Sequence, residues 1–146
     1  MNHVARWVGT LCGIGYSKYA PGTMATIVGA LLIWVFPRME WVNFLLVVSL
    51  LAGFYYSPIL EREFKAKDPE CVVIDEWAGL FVALFTIPLT YTTVILAVIL
   101  FRFFDIVKPL GIRRLEKIPH PFSIMWDDLL AGLYVNIILQ VVYRVI

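Results

Sequence analysis

Five acidic residues stand inside or against apolar runs. Asp75-Glu76 opens the run Ile74 to Pro88, Asp105 closes the run Thr92 to Phe104, and Asp127-Asp128 interrupts the start of the run Ile124 to Ile146. A carboxylate in hydrocarbon costs at least ~2.5–3.5 kcal/mol. Five of them in a chain of 146 residues predict a shared, wet, polar site where a cation or basic side chains balance the charge. Carboxylates converging from three helices suit a hard cation such as Mg²⁺, which takes oxygen ligands and keeps several waters. His3 and His120 are isolated and no Cys/His spacing fits zinc.

Basic companions lie close by in sequence. Arg102, Asp105 and Lys108 are spaced three apart, which makes one polar stripe on a helix. Pro109 restricts Lys108 away from helical geometry, so Lys108 belongs at a helix end, aimed into the membrane interface. The stripe reads as a site or as a self-neutralising ladder of ion pairs. Asp75-Glu76 in a first helical turn reads as ligands or as a cap complementing the helix dipole. Thr23, after Ala20-Pro21-Gly22, reads as an N-cap followed by amides suited to a phosphate. Gly79 and Gly132 follow Glu76 and Asp128 by three and four residues and permit close helix approach.

These residues need elements to hold them. The chain is 61% hydrophobic and 16% charged, with mean hydropathy +0.83, against about 45–50% and 25% in ordinary soluble domains. One small core cannot bury that much apolar surface, so a bilayer covers part of it. A net charge of +1 argues against a nucleic-acid partner. Cys12 and Cys71 make no disulfide framework. Gly9, Gly13 and Gly15 break up the first apolar stretch and no small-residue cleavage site follows, so a signal peptide is not expected.

The predicted architecture is all-α: a single domain over 1–146, an integral membrane bundle of about five embedded helices behind a short interfacial helix at residues 3–15. The apolar segments are Thr23 to Phe36, Trp41 to Leu60, Ile74 to Ile87, Tyr91 to Phe104 and Ile124 to Tyr143. A straight span needs about 20 residues. The second and fifth have that length, and the others span only if their ends reach the polar site or the headgroups. The links Pro37 to Glu40 and Pro88 to Thr90 are tight, so neighbours should pack antiparallel. Glu61 to Glu70 is a charged loop expected on a solvated face. With the N-terminus in the cytoplasm, Arg6, Lys18, Arg62, Lys65, Lys67, Arg102, Lys108, Arg113, Arg114 and Lys117 fall inside. Only Arg38 and Arg144 fall outside, a strong positive-inside bias. All five acids then lie at the cytoplasmic ends of their helices.

Gly15 to Thr26 (GYSKYAPGTMAT), Val72 to Gly79 (VVIDEWAG), Phe101 to Arg113 (FRFFDIVKPLGIR) and Trp126 to Gly132 (WDDLLAG) together resemble the phosphatidylglycerophosphatase A family. These are bacterial integral-membrane lipid phosphatases. The resemblance covers nearly the whole chain. It implies Mg²⁺-dependent hydrolysis of phosphatidylglycerophosphate to phosphatidylglycerol and phosphate, in a multi-pass protein of the bacterial inner membrane whose site faces the cytoplasm. Its motifs fall on Pro21-Gly22-Thr23, Asp75-Glu76, Arg102, Asp105, Lys108, Pro109 and Asp127-Asp128. The expected catalytic set is Asp75, Glu76, Asp105, Asp127 and Asp128. Thr23, Arg102 and Lys108 are expected to bind phosphate, and Glu76, Asp105, Asp127 and Asp128 to bind metal. The chain departs from the family at Ala25 (usually Gly), at Gly111 (usually Pro) and at Pro119-His120-Pro121-Phe122-Ser123 (usually a Gly-rich turn).

Three other readings compete. A cation transporter or channel uses intramembrane carboxylates too, but its acids sit nearer mid-membrane and no repeat symmetry is visible. A CDP-alcohol phosphotransferase would carry a long aspartate signature that is missing here. A purely structural subunit would not need five acids. The partners expected are lipid substrate and membrane, and nothing indicates an oligomer.

Overall fold

The computed structural model describes residues 2–109, 111–120 and 122–145. Pro121 of the 119–123 loop and the Ile146 end of the last apolar run lie outside the described residues. Among the described residues seven α-helices follow one another: α1 (His3–Gly9), α2 (Pro21–Val35), α3 (Met39–Phe64), α4 (Ile74–Leu84), α5 (Tyr91–Val107), α6 (Ile112–Glu116) and α7 (Ser123–Val145). No strand occurs among the described residues.

The expected interfacial helix over 3–15 is shorter. Leu11, Cys12 and Gly13 all take positive φ and end it, and a 3₁₀ turn at Ile14–Tyr16 follows. α1 leaves Val4 and Trp7 exposed and buries Ala5 in an apolar cluster that includes Leu60 and Val73. It is tied down by Arg6, which pairs with Glu63 at 2.8 Å, and by the Val73 amide donating to the Gly9 carbonyl at 2.8 Å.

α2 begins two residues before the expected N-cap. Ala20 caps it in the left-handed region and Pro21 takes the first helical position, where proline's fixed φ favours the helix and its missing N–H is not needed. Thr23 therefore stands inside the first turn. α6 corresponds to none of the apolar segments of the sequence. It starts after Gly111 at φ +90°, a conformation closed to proline, so the chain departs from the family's usual residue where its backbone requires glycine.

α4 is the hub, packing against α7, α3, α2 and α5. The tight link after α2 predicts an α2–α3 pair, yet α2 makes its main helix contacts with α4 and α5. Side-chain ties set the directions of the other helices. Thr93 near the start of α5 meets Tyr143 near the end of α7 at 2.7 Å. Lys108, just past α5, meets Asp127 near the start of α7, so α5 and α7 are antiparallel. Asn136 of α7 donates to the carbonyls of Val82, Ala83 and Phe85. It thereby adds a partner at the end of α4, where the last carbonyls run out of intrahelical donors.

α3 and α7 are long and apolar enough to cross a membrane, whereas α2, α4 and α5 have 15, 11 and 17 residues. The outer surface is apolar along whole helix faces: Phe44, Val48, Leu51 and Tyr55 on α3, and Leu133, Ile137 and Val141 on α7, are all exposed. Spacing at three and four residues makes continuous stripes of this kind. Exposed apolar surface on that scale marks a lipid or protein interface.

Candidate active site

Glycines bring the acidic helices together. A Cβ on Gly132 would lie 2.2 Å from the carbonyl oxygen of Gly79, and one on Gly79 would lie 2.7 Å from that of Asp128. α4 and α7 thus meet backbone to backbone, one turn from their acidic residues. Gly53 of α3 gives similar room to Met125, whose sulfur would be 2.4 Å from an added Cβ. That contact seats the first turn of α7.

Asp75, Glu76 and Asp128 converge as a result. One carboxylate oxygen from each lies within 4.8 Å of the others. Asp75 and Asp128 are buried and Glu76 is half-buried. None of the three belongs to a salt bridge among the described residues. Asp75 Oδ1 and Glu76 Oε2 are buried without a hydrogen-bond partner. An ionised carboxylate in that state is very costly unless a cation completes it. The donor set is all oxygen, which fits a hard divalent cation rather than a soft one.

Asp105 and Asp127 are placed differently. Asp105 pairs with Arg102 one turn earlier on α5. Asp127 accepts from Lys108 Nζ at 2.7 Å, and its other oxygen accepts from the Asp128 amide at 3.1 Å. Both still add charge to the triad's surroundings. Asp75, expected as catalytic but not as a ligand, stands in the triad, while Asp105 and Asp127 of the expected metal set stand beside it in ion pairs. The polar stripe of α5 is therefore split. Arg102 and Asp105 make the ladder, and Lys108, in the left-handed region at the helix end, reaches across to α7 and to Glu116 at 3.5 Å. Burial alone would lower the Lys108 ammonium, but its hydrogen bond to Asp127 and the nearby acidic charges outweigh that and hold it above its ordinary range.

α2 closes the site from the opposite side. A Cβ on Gly22 would lie 2.2 Å from Glu76 Oε1 and 3.0 Å from Arg102 Nη1. Glu76 and Arg102 therefore flank the first turn of α2. The first backbone N–H bonded in this turn is that of Met24, to Ala20. The amides of Gly22 and Thr23 have no intrahelical partner. Thr23 contributes here through its place in the turn rather than as a cap. Trp77, absent from the expected residues, donates through Nε1 to the Ala25 carbonyl at 2.6 Å and fixes α2 to α4. Its apolar context in the sequence carries no signal of that bond. The expected charged loop over 61–70 is only partly a loop, because Glu61 to Phe64 form the last turn of α3; beyond it, Lys67 donates to the Glu116 carbonyl, and Asp68 lies within electrostatic range of Lys108, Glu116 and Asp105.

The family model for phosphatidylglycerophosphatase A matches residues 7–143. The chain belongs to the phosphatidylglycerophosphatase A family. Among its relatives, a Bacteroides thetaiotaomicron protein named "Putative phosphatidylinositol-3-phosphatase" is 39% identical, over 95% of this chain and 93% of that protein. Phosphatidylglycerophosphatase A of Haemophilus influenzae is 35% identical over 86% of this chain and 80% of its own length. The Escherichia coli protein of the same name is 29% identical over 82% and 72%. No solved structure gives a significant match. Membership of an enzyme family displaces the transporter and channel alternative. It gives this phosphatidylglycerophosphatase A family member the chemistry of a phosphoric monoester hydrolase.

Proposed function

We propose that the protein removes the terminal phosphate of phosphatidylglycerophosphate, with Mg²⁺, at the cytoplasmic face of a bacterial inner membrane that its helices span about five times. The observation that supports this reading best is the convergence of Asp75, Glu76 and Asp128, which no salt bridge among the described residues balances, with Arg102 nearby across the first turn of α2. The positive-inside pattern and the apolar outer faces of α3 and α7 support the membrane placement.

Mg²⁺ held by the triad would supply charge neutralisation for the phosphate and acidify or orient a water. The chain's own groups do the rest. Arg102, braced by Asp105, faces the phosphate oxygens, and the Gly22 and Thr23 amides donate to them. Lys108, steadied by Asp127 and Glu116, adds positive charge at the rim. Hydrolysis breaks the bond between phosphorus and the ester oxygen and forms one to the incoming water oxygen. A proton is delivered to the departing alkoxide, which becomes the hydroxyl of phosphatidylglycerol. Phosphoryl transfer asks mainly for this positioning and charge neutralisation. Direct water attack and an aspartyl-phosphate intermediate both fit the inventory.

A second reading rests on the relative named for phosphatidylinositol 3-phosphate: the same site would then act on an inositol headgroup. The deciding experiment incubates the detergent-purified protein with each of the two lipids, with and without Mg²⁺, and measures phosphate released. Mg²⁺-dependent release from phosphatidylglycerophosphate that disappears in Asp128→Asn is the expected result. Release from the inositol lipid alone would replace the substrate, and release from neither would overturn the phosphatase reading.

A further inference from the structure

An apolar groove runs between α2 and α5. Ala30 and Val94 are buried on its floor, and its walls are Ile27 and Leu31 on α2 and Ile95 and Ile99 on α5, all exposed. The Trp34 and Tyr91 rings close its far end edge to face, with centroids 5.8 Å apart. The same two helices carry Gly22 and Arg102 at the other end. At 1.5 Å per residue the groove begins about 7 Å along α2 from Gly22 and about 4–5 Å along α5 from Arg102. It continues for roughly 10 Å from Ile27 to Trp34.

We propose that this groove is the binding site for one acyl chain of the phospholipid substrate. The assignment rests on the phosphatase reading given above. A phospholipid must place its phosphate among polar groups while its chains run toward the membrane interior, and the α2–α5 groove joins those two environments along one pair of helices. Another apolar groove beside α2, lined by Leu32, Phe36 and Trp41, lies wholly at the end of the helix remote from Gly22 and does not extend toward the acidic site. The small side chain of Ala30 keeps the floor open, and the Trp34–Tyr91 pair limits how far the chain inserts. An apolar slot with no polar side chain on its floor or walls recognises chain shape alone, so the groove supplies affinity for lipid over a bare headgroup and leaves headgroup selection to the site.

The test compares dioleoyl phosphatidylglycerophosphate with its deacylated headgroup, glycerophosphoglycerol phosphate, as substrates of the full chain in detergent. Ala30→Phe fills the floor, and Ile95→Trp crowds an exposed wall, where folding is least at risk. Displacing a few methylenes from the groove should raise KM for the dioleoyl lipid roughly tenfold, while kcat/KM for the headgroup stays within about twofold of wild type. An unchanged KM for the lipid in both variants overturns the groove. Equal losses on both substrates in folded variants also overturn it, because they assign the helices a structural role only. If the wild type releases phosphate from neither substrate, the phosphatase reading fails and the groove assignment falls with it, an outcome visible before any variant is made.

Discussion

Gly132 faces the carbonyl oxygen of Gly79, and a methyl group added to Gly132 would stand 2.2 Å from it. The obstacle is backbone, not a flexible side chain, so α4 and α7 would have to separate. That separation would carry Asp128 away from Asp75 and Glu76. Gly132→Ala should destabilise the protein by about 1–3 kcal/mol, the usual range for overpacking. Phosphate release should fall further than the loss of folded protein explains. Thermal unfolding in detergent, run beside the activity assay, checks both. A variant that is wild-type in both would mean the helices slide past one another freely.

The triad carboxylates should trade activity against stability. Asp75→Asn, Glu76→Gln and Asp128→Asn each remove a charge that no salt bridge among the described residues balances. Without metal, each variant should melt at or above the wild-type temperature. Turnover should drop at least about a hundredfold, as when a principal electrostatic group is lost. Added Mg²⁺ should raise the wild-type melting temperature and leave the variants unmoved. Lower melting temperatures in all three without Mg²⁺ would recast the acids as stabilising groups.

Lys108 and Asp127 should behave as one unit. Their ion pair is largely enclosed, with side-chain exposures of 17% and 5%. Removing one partner leaves the other charge stranded, at a cost of roughly 3–5 kcal/mol. Lys108→Met and Asp127→Asn should each destabilise, and the double variant should be more stable than their sum predicts. The Lys108 ammonium is held above its ordinary range, so its contribution is complete below the unfolded value of about 10.4 and is lost as pH rises through the folded one. Stability from this pair should not weaken between pH 7 and 9. Additive single-variant effects would show that the pair is not coupled.

Gly22→Ala should disable the site without disturbing the helix that carries it. Alanine suits a helix better than glycine by about 1 kcal/mol, yet its Cβ would stand 2.2 Å from Glu76 Oε1. Either Glu76 is displaced or α2 tilts away, and Arg102 loses its place against the first turn. Activity should fall by more than tenfold with helix content unchanged by circular dichroism. Full activity would remove the first turn of α2 from the site.

Much of this was legible in the chain. Asp75-Glu76 at a helix start, Lys108 turned out at a helix end before Pro109, and the long apolar segments of α3 and α7 all appear where composition and spacing place them. Thr23 has the residue type of a cap, but Pro21 starts the helix earlier and places it inside the first turn. α6 leaves no periodic signal in the sequence because it has only five residues. Sequence alone determined that five carboxylates sit at the ends of apolar helices, since burial cost and charge bias are properties of residue types along a chain. Only the tertiary structure decided which of them meet. Asp75, Glu76 and Asp128 converge while Asp105 and Asp127 are neutralised by Arg102 and Lys108. That division depends on how closely α4 and α7 approach at Gly79 and Gly132 and on where the Lys108 side chain can reach. Both are facts of three-dimensional packing between helices distant in sequence.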